Sequence, residues 1–504
     1  MSGHRIEGII AAAGIVIVCV AAVAMTTAVR ATPAAGTIET IAGGGTLAPD
    51  GVPATDASLT FMLGLAINQD GDVFVSDATN CAVEKISAGV ITRVVGTGSC
   101  PQSHTSNDIG DGGPALNALL DRPEGLAFDS AGDLYIADSF DCEIRKVDMQ
   151  SGIITAFAGK GPWYCGGAGD GGAATDATLT NPGGLAVDAD GNVYIAEWQG
   201  PRVRKVSGGT ITTVAGRTGW RGFSGDGGPA TDALLEGPLG LAVSADGTLY
   251  IGDDCRIRAV SGGIITTVAG NGICIGTPDG PAMSTGIDGP YGLAVDSAGM
   301  LLIADADDCV VRRLENGMIT TIAGAPLVVN DSFTPVCGHT GDGGLATSAE
   351  IGQPVGVAAD GAGNAYFAED HLSDPGPASV RVVYGVAPPP PAPTPTATID
   401  PAIDTDGDGC TDVKERLLVP PTSPSDAWDF YSVPVPALFA SPNPTSTIRD
   451  GVVSASDAQS IFAYFTRGAQ AGSPEYEQDL NANGVRDGLE YDRSFAGPGM
   501  SGPP

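Results

Sequence analysis

The 504-residue sequence predicts an all-β fold: a six-bladed β-propeller closed by its own N-terminal strand, followed by a small loop–helix module. Three observations predict it. First, a strand-like heptad ending in glycine occurs at Thr37–Gly43 (TIETIAG), Val90–Gly96 (VITRVVG), Ile153–Gly159 (IITAFAG), Thr210–Gly216 (TITTVAG), Ile264–Gly270 (IITTVAG) and Met318–Gly324 (MITTIAG). Second, six larger units of three strand-like pieces lie between and after these heptads. Third, the last unit has no heptad behind it, while the first heptad has no unit before it. Lending the first heptad to the last unit closes a ring.

Within a unit the pieces read GGLAVDADG (Gly183–Gly191), NVYIAE (Asn192–Glu197) and RVRKVS (Arg202–Ser207). They recur as GLAINQDGDVFVSD from Gly64, GLAFDSAGDLYIAD from Gly125, GLAVSADGTLYIGD from Gly240, GLAVDSAGMLLIAD from Gly292 and GVAADGAGNAYFAED from Gly356. Short runs of Val, Ile, Leu and Tyr bounded by Gly or Asp turns are strand and hairpin chemistry. Successive heptad glycines are 53, 63, 57, 54 and 54 residues apart. A fixed period with four strands per unit is the signature of a propeller. Thr37–Gly43 is then expected as the outermost strand of blade 6, beside Ser379–Tyr384 (SVRVVY), where it removes an open sheet edge.

These residues resemble the NHL family of six-bladed propellers. The resemblance rests on GDGGPATDALLEGPLGLAVSADGTLYIGD (Gly225–Asp253) with RIRAVSGGIITTVAG (Arg256–Gly270), and covers residues 36–386. It is nearest to the subgroup with a G-D-G-G-x-A-T insert, found in bacterial secreted proteins and in teneurins. Propellers host binding modules, scaffolds and enzymes, so the resemblance implies a fold rather than an activity.

Cysteines follow the repeat. Cys81, Cys142, Cys255 and Cys309 stand at the third strand of blades 1, 2, 4 and 5, and Cys100, Cys165, Cys274 and Cys337 follow the fourth strand of the same blades. Blades 3 and 6 lack both. Joint presence and absence predict Cys81–Cys100, Cys142–Cys165, Cys255–Cys274 and Cys309–Cys337. Such bridges need an oxidising compartment. The apolar run Gly8–Val29 within residues 1–31 agrees, read either as a signal peptide cut after Ala31 or as a membrane anchor. The protein is expected to be secreted, or held at the cell surface if that segment stays. With 24 Lys plus Arg against 59 Asp plus Glu, the net charge of −35 repels nucleic acid.

A Pro-rich linker, 387–401, leads to a module at 402–495 and a tail expected to be disordered at 496–504. DTDGDGCTDVKE (Asp404–Glu415) matches the EF-hand loop D-x-D-x-D-G-x5-E. Asp404, Asp406, Asp408, the Cys410 carbonyl, Asp412 and Glu415 would supply the oxygens that calcium prefers. DLNANGVRDGLE (Asp479–Glu490) offers Asp479, Asn481, Asn483, the Val485 carbonyl, Asp487 and Glu490 in the same way. A loop lacking its early ligands, Ser446–Asp457, and the helix-like Ala458–Phe465 give the region a resemblance to dockerins. That resemblance implies a cohesin-like partner. The full expectation is a propeller followed by a small calcium-binding loop–helix module.

Residues shared by all blades read as structural, so the acids ending each second strand (Asp77, Asp138, Glu197, Asp253, Asp305, Glu369) and the G-D-G-G acids (Asp111, Asp170, Asp226, Asp342) are expected to fix turns and pair with Arg145, Arg204 or Arg258. Specificity is expected where blades differ. Trp163, Tyr164, Trp198, Trp220, Arg221 and Phe223 break the repeat in loops of blades 2 to 4 and form a candidate ligand face, with His339 and His371 beside it. The function these features point to is an exported, non-catalytic binding or scaffold protein with a protein or glycan partner. The alternative is an extracellular lyase or hydrolase with a metal held by His339 and His371, as the resemblance to six-bladed amidating lyases implies.

Overall fold

The computed structural model describes residues 33–101, 109–162, 164–325, 337–370 and 378–386. The N-terminal apolar run, the calcium-loop residues, His371 and Trp163 lie outside the described residues. Six antiparallel sheets are present, each with four principal strands. Blade 1 runs Met62–Ile67, Val73–Asp77, Ala82–Ser87 and Val90–Val95, and blade 2 runs Pro123–Phe128, Leu134–Asp138, Glu143–Asp148 and Ile153–Ala158. Blade 3 runs Pro182–Val187, Val193–Glu197, Arg202–Ser207 and Thr210–Gly216, and blade 4 runs Pro238–Val243, Leu249–Asp253, Arg256–Ser261 and Ile264–Ala269. Blade 5 runs Pro290–Val295, Leu301–Asp305, Val310–Glu315 and Met318–Ala323. Blade 6 runs Gln353–Ala359, Ala365–Asp370 and Ser379–Val383, and takes its fourth strand, Ile38–Gly43, from the other end of the chain. Ile38 pairs with Val383 and Gly43 with Ser379.

The first strands form the inner ring, each touching the first strand of the next blade, with blade 6 returning to blade 1. The repeated glycine explains why they can. A Cβ on Gly64, Gly125 or Gly184 would stand 2.1, 2.3 or 1.8 Å from a backbone carbonyl oxygen of the following blade. Only glycine permits that approach. Between neighbouring blades the apolar residues of facing sheets make separate buried clusters, such as Phe74, Val83, Leu126 and Ile136 between blades 1 and 2. The second residue of every heptad (Ile38, Ile91, Ile154, Ile211, Ile265, Ile319) is fully buried.

The G-D-G-G segment does more than turn the chain. In blade 3, Gly171 N–H donates to Ile211 C=O (2.8 Å), Ile211 N–H to Gly172 C=O (3.1 Å) and Ala174 N–H to Gly209 C=O (2.8 Å). The same pattern covers the lent strand, where Gly343 N–H donates to Ile38 C=O and Ala346 N–H to Gly36 C=O, both at 2.8 Å. Each insert thus caps the exposed edge of its own fourth strand, which would otherwise template pairing with another chain. A buried arginine fastens insert to blade. Arg145, Arg204, Arg258 and Arg381 reach Asp111, Asp170, Asp226 and Asp342 at 2.6–2.8 Å, and each also faces the acid ending its second strand. The repeated acids are therefore structural. Blade 1 exchanges the charges: Glu84 occupies the arginine position, and Arg93 on the fourth strand faces Asp50 of the insert at 3.8 Å.

All four expected disulfides are present, Cys81–Cys100, Cys142–Cys165, Cys255–Cys274 and Cys309–Cys337, with Cα separations of 5.0–5.6 Å. They tie the start of a third strand to the loop leaving the fourth. Among the described residues no helix is long and apolar enough to cross a membrane.

Candidate functional site: the channel mouth

First strands begin, and second strands end, on one face of the ring. The pairings Pro123–Asp138, Pro182–Glu197, Pro238–Asp253 and Pro290–Asp305 fix this. Residues just before the first strand and just after the second therefore meet around the axis. A cavity of about 390 Å³ opens there. Its wall includes the residue that precedes the inner-ring glycine in every blade: Leu63, Glu124, Gly183, Leu239, Tyr291 and Val355. Its rim carries Phe61, Arg122, Phe140, Asn181 and Trp198.

The rim is pre-shaped. Phe61, Arg122 and Asn181 all adopt left-handed backbone angles (φ 47°, 55° and 46°) at the residue entering the first strand. Such conformations cost energy for non-glycine residues and collect at functional sites. Arg122 is held between the Phe61 and Phe140 rings, its guanidinium 5.1 and 5.0 Å from the two centroids, and its Nε lies 3.1 Å from Glu124 Oε1. Burial pushes the Glu124 carboxyl up to about 7, against the pull of Arg122 and the Ser139 hydroxyl. Phe140 and Trp198 leave roughly half of their surface in solvent, at 50% and 42%. Exposed aromatics around a concave, partly polar wall are suited to stacking on a ligand.

A second cavity, about 310 Å³, adjoins it across Trp198, Leu239 and Tyr291. Its other wall holds Asp254, Asp288 and Asp307. Arg221 reaches in from the loop between blades 3 and 4. It stacks 5.0 Å over the Trp198 ring and donates to the Trp198 carbonyl (2.7 Å) and the Glu236 carbonyl (2.5 Å).

Of the residues read from sequence as a ligand face, the structure brings Trp198 and Arg221 to this mouth. Phe223 instead covers Arg256 and Arg258, 3.8 and 4.8 Å from its ring. Tyr164 pairs with Lys160 and Trp220 with Arg217, away from the cavities. His339 Nδ1 sits 3.0 Å from Glu369 Oε2, a buried carboxylate that also accepts from Ser379 (2.7 Å) and faces Arg381 (3.4 Å). That histidine belongs to the blade 6 charge network. Sequence reading missed Phe61, Arg122, Glu124, Phe140, Asn181 and Tyr291. The signal was available, because the residue before the inner-strand glycine varies from blade to blade, with Glu124 and Tyr291 standing where blades 1 and 4 have leucine.

The teneurin NHL domain model matches residues 91–165, 161–223 and 219–279. Human teneurin-1 is 30% identical over 277 residues, which cover 48% of this chain and 10% of teneurin-1. Mouse teneurin-1 is 28% identical over 350 residues, covering 63% and 12%. The protein SUPPRESSOR OF QUENCHING 1 of Arabidopsis thaliana is 25% identical over 276 residues, covering 52% and 25%. The chain thus spans about a tenth of the length of the teneurins it matches. Among solved structures, a Bacteroides thetaiotaomicron protein overlaps with a TM-score of 0.49 at 16% identity, covering 69% of this chain and 75% of the other. The Staphylococcus aureus virginiamycin B lyase overlaps at 0.36 and 15%, covering 66% and 82%. By its repeat and its six sheets, the described part of the chain is a six-bladed β-propeller that is similar to the teneurin NHL domain over residues 91–279.

Proposed function

We propose that the protein is an exported, non-catalytic binding or scaffold protein that presents the channel mouth of its propeller to a protein or glycan partner. One observation carries this: an aromatic, partly charged rim built at exceptions to the repeat, on a scaffold whose repeated acids and arginines are engaged with one another. The four disulfides support residence in an oxidising compartment, hence secretion or display at the cell surface. In this reading the C-terminal module binds calcium through the Asp404–Glu415 and Asp479–Glu490 loops and docks or spaces the propeller. A cohesin-like domain is the partner its dockerin-like pattern suggests.

The test is capture from the source's extracellular fraction on immobilised full-length protein, with and without a calcium chelator. Three proteins are compared: wild type, Phe140→Ser/Trp198→Ser, and Asp404→Ala/Asp479→Ala. Loss of a captured molecule in the first double variant supports binding at the mouth. Capture unchanged by it, and lost only in the second or with chelator, would move the binding function to the C-terminal module.

A further inference from the structure

The smaller cavity is two-sided, and its two sides ask for different halves of one ligand. Trp198, Leu239 and Tyr291 give an apolar wall, and Asp254, Asp288 and Asp307 face them. Among the described residues Arg221 is the one cation lining it, and its guanidinium is already committed to two backbone carbonyls and the Trp198 ring. Asp307 accepts from Gln353 Nε2 at 2.8 Å. Among the described residues no basic side chain other than Arg221 lines the cavity beside the Asp254 and Asp288 carboxylates.

This arrangement discriminates among occupants. An anion would meet three carboxylates in a chain of net charge −35. A neutral apolar ligand would desolvate those carboxylates without replacing their water, which is costly. A cation with an apolar stem satisfies both walls, because lysine and arginine lay their methylene stems on apolar surface while the head stays polar. Aromatic faces add to the attraction.

Resting on the channel-mouth reading above, we propose that this cavity receives an arginine or lysine side chain of a partner polypeptide. The stem would lie along Trp198, Leu239 and Tyr291, and the head would meet Asp254, Asp288 and Asp307. The carboxylates are already mutually unfavourable: burial pushes the Asp288 carboxyl up to about 6, and Asp307, Asp308 and Asp254 push it the same way. An incoming cation relieves that repulsion.

The experiment uses full-length protein and three probes, the Nα-acetyl methylamides of arginine, lysine and norleucine, followed by ligand-observed NMR in about 0.15 M salt, where loose surface attraction is screened. The expected result is saturable binding of arginine and lysine, with norleucine at least tenfold weaker. Asp254→Asn/Asp288→Asn and, separately, Trp198→Ala should each weaken arginine binding at least tenfold. Asp254 is exposed, so Asp254→Asn alone supplies a folded variant if the double one fails to fold. Norleucine binding as tightly as arginine, or arginine binding unchanged in these variants, overturns the proposal. If it is overturned while capture by the mouth still depends on Phe140 and Trp198, the occupant is wrong and the binding face stands. If capture is also indifferent to them, both readings fail.

Discussion

Substituting Gly184→Ala tests the inner ring on which the channel depends. The glycine has an ordinary backbone conformation, so added strain would come from contact alone. Its new Cβ would lie 1.8 Å from the Leu239 carbonyl oxygen and 3.0 Å from that carbonyl carbon. A comfortable separation is about 3.5 Å. The inner strands of blades 3 and 4 would have to part by more than an ångström. In a closed ring that gap must be taken from the other five interfaces, each with its own inner-strand glycine. Overpacking of an ordinary core costs about 1–3 kcal/mol. Here backbone, not a side-chain tip, must yield, so the expected cost is at the upper end, about 3 kcal/mol. Urea denaturation of the full chain measures it as a lowered midpoint. Gly361→Ala, where the added methyl meets open space, is the control and should stay within about 0.5 kcal/mol. Gly184→Ala within the same limit would refute the tightly closed inner ring.

Three further predictions follow from the charge network, the linked carboxyls and the bridges. Glu143 is buried beside Arg145, and burial, with Asp111 and Asp138 adding to it, pushes its carboxyl up to about 8. Glu143→Gln should therefore raise stability at pH 7 by up to about 3 kcal/mol at 1.36 kcal/mol per pK unit, read by denaturant midpoint. A midpoint lowered by that change would contradict it. Asp141 and Asp288 are likewise raised by burial, to about 7 and about 6. A raised carboxyl contributes stability that is present below its unfolded pKa near 4 and lost as pH rises through the folded value, so the Tm should fall between pH 5 and pH 8. A Tm that rises over that range would show the opposite linkage. Replacing Cys142 and Cys165 together with alanine removes the bridge closing a 23-residue separation and should cost roughly 3 kcal/mol by the chain-entropy model. Non-reducing peptide maps that found these thiols free would remove its basis.

What could be read from the sequence was whatever repeats. Six heptads against six units gave the blade count and the lent strand. Paired presence of cysteines gave the bridges, and recurring acids pointed to the arginines at positions 145, 204 and 258. The roles that escaped depend on relations across blades or on single departures from the repeat. The G-D-G-G insert reads as a turn until its backbone is seen along the edge of the fourth strand. The exchange of Glu84 and Arg93 is invisible until both are placed on neighbouring strands. The mouth escaped because Phe61, Glu124, Phe140 and Tyr291 lie far apart in the chain and meet only where six inner strands converge. Trp198 was visible as an exception, whereas Phe223, also an exception, covers arginines of its own blade.

The ring closed by its own N-terminal strand underlies every other statement about this protein, and strand complementation tests it most directly. Ile38 is fully buried among Phe367, Val383 and Leu302, and losing such a side chain alone costs about 2–5 kcal/mol. Chains beginning at residue 33 and at residue 44 would be compared by urea denaturation, the second with and without a synthetic peptide of residues 33–44. The shorter chain should unfold at a clearly lower midpoint, and the peptide should bind it in a one-to-one ratio and restore most of the difference. Equal midpoints for the two chains, or a shorter chain indifferent to the peptide, would contradict closure by the lent strand.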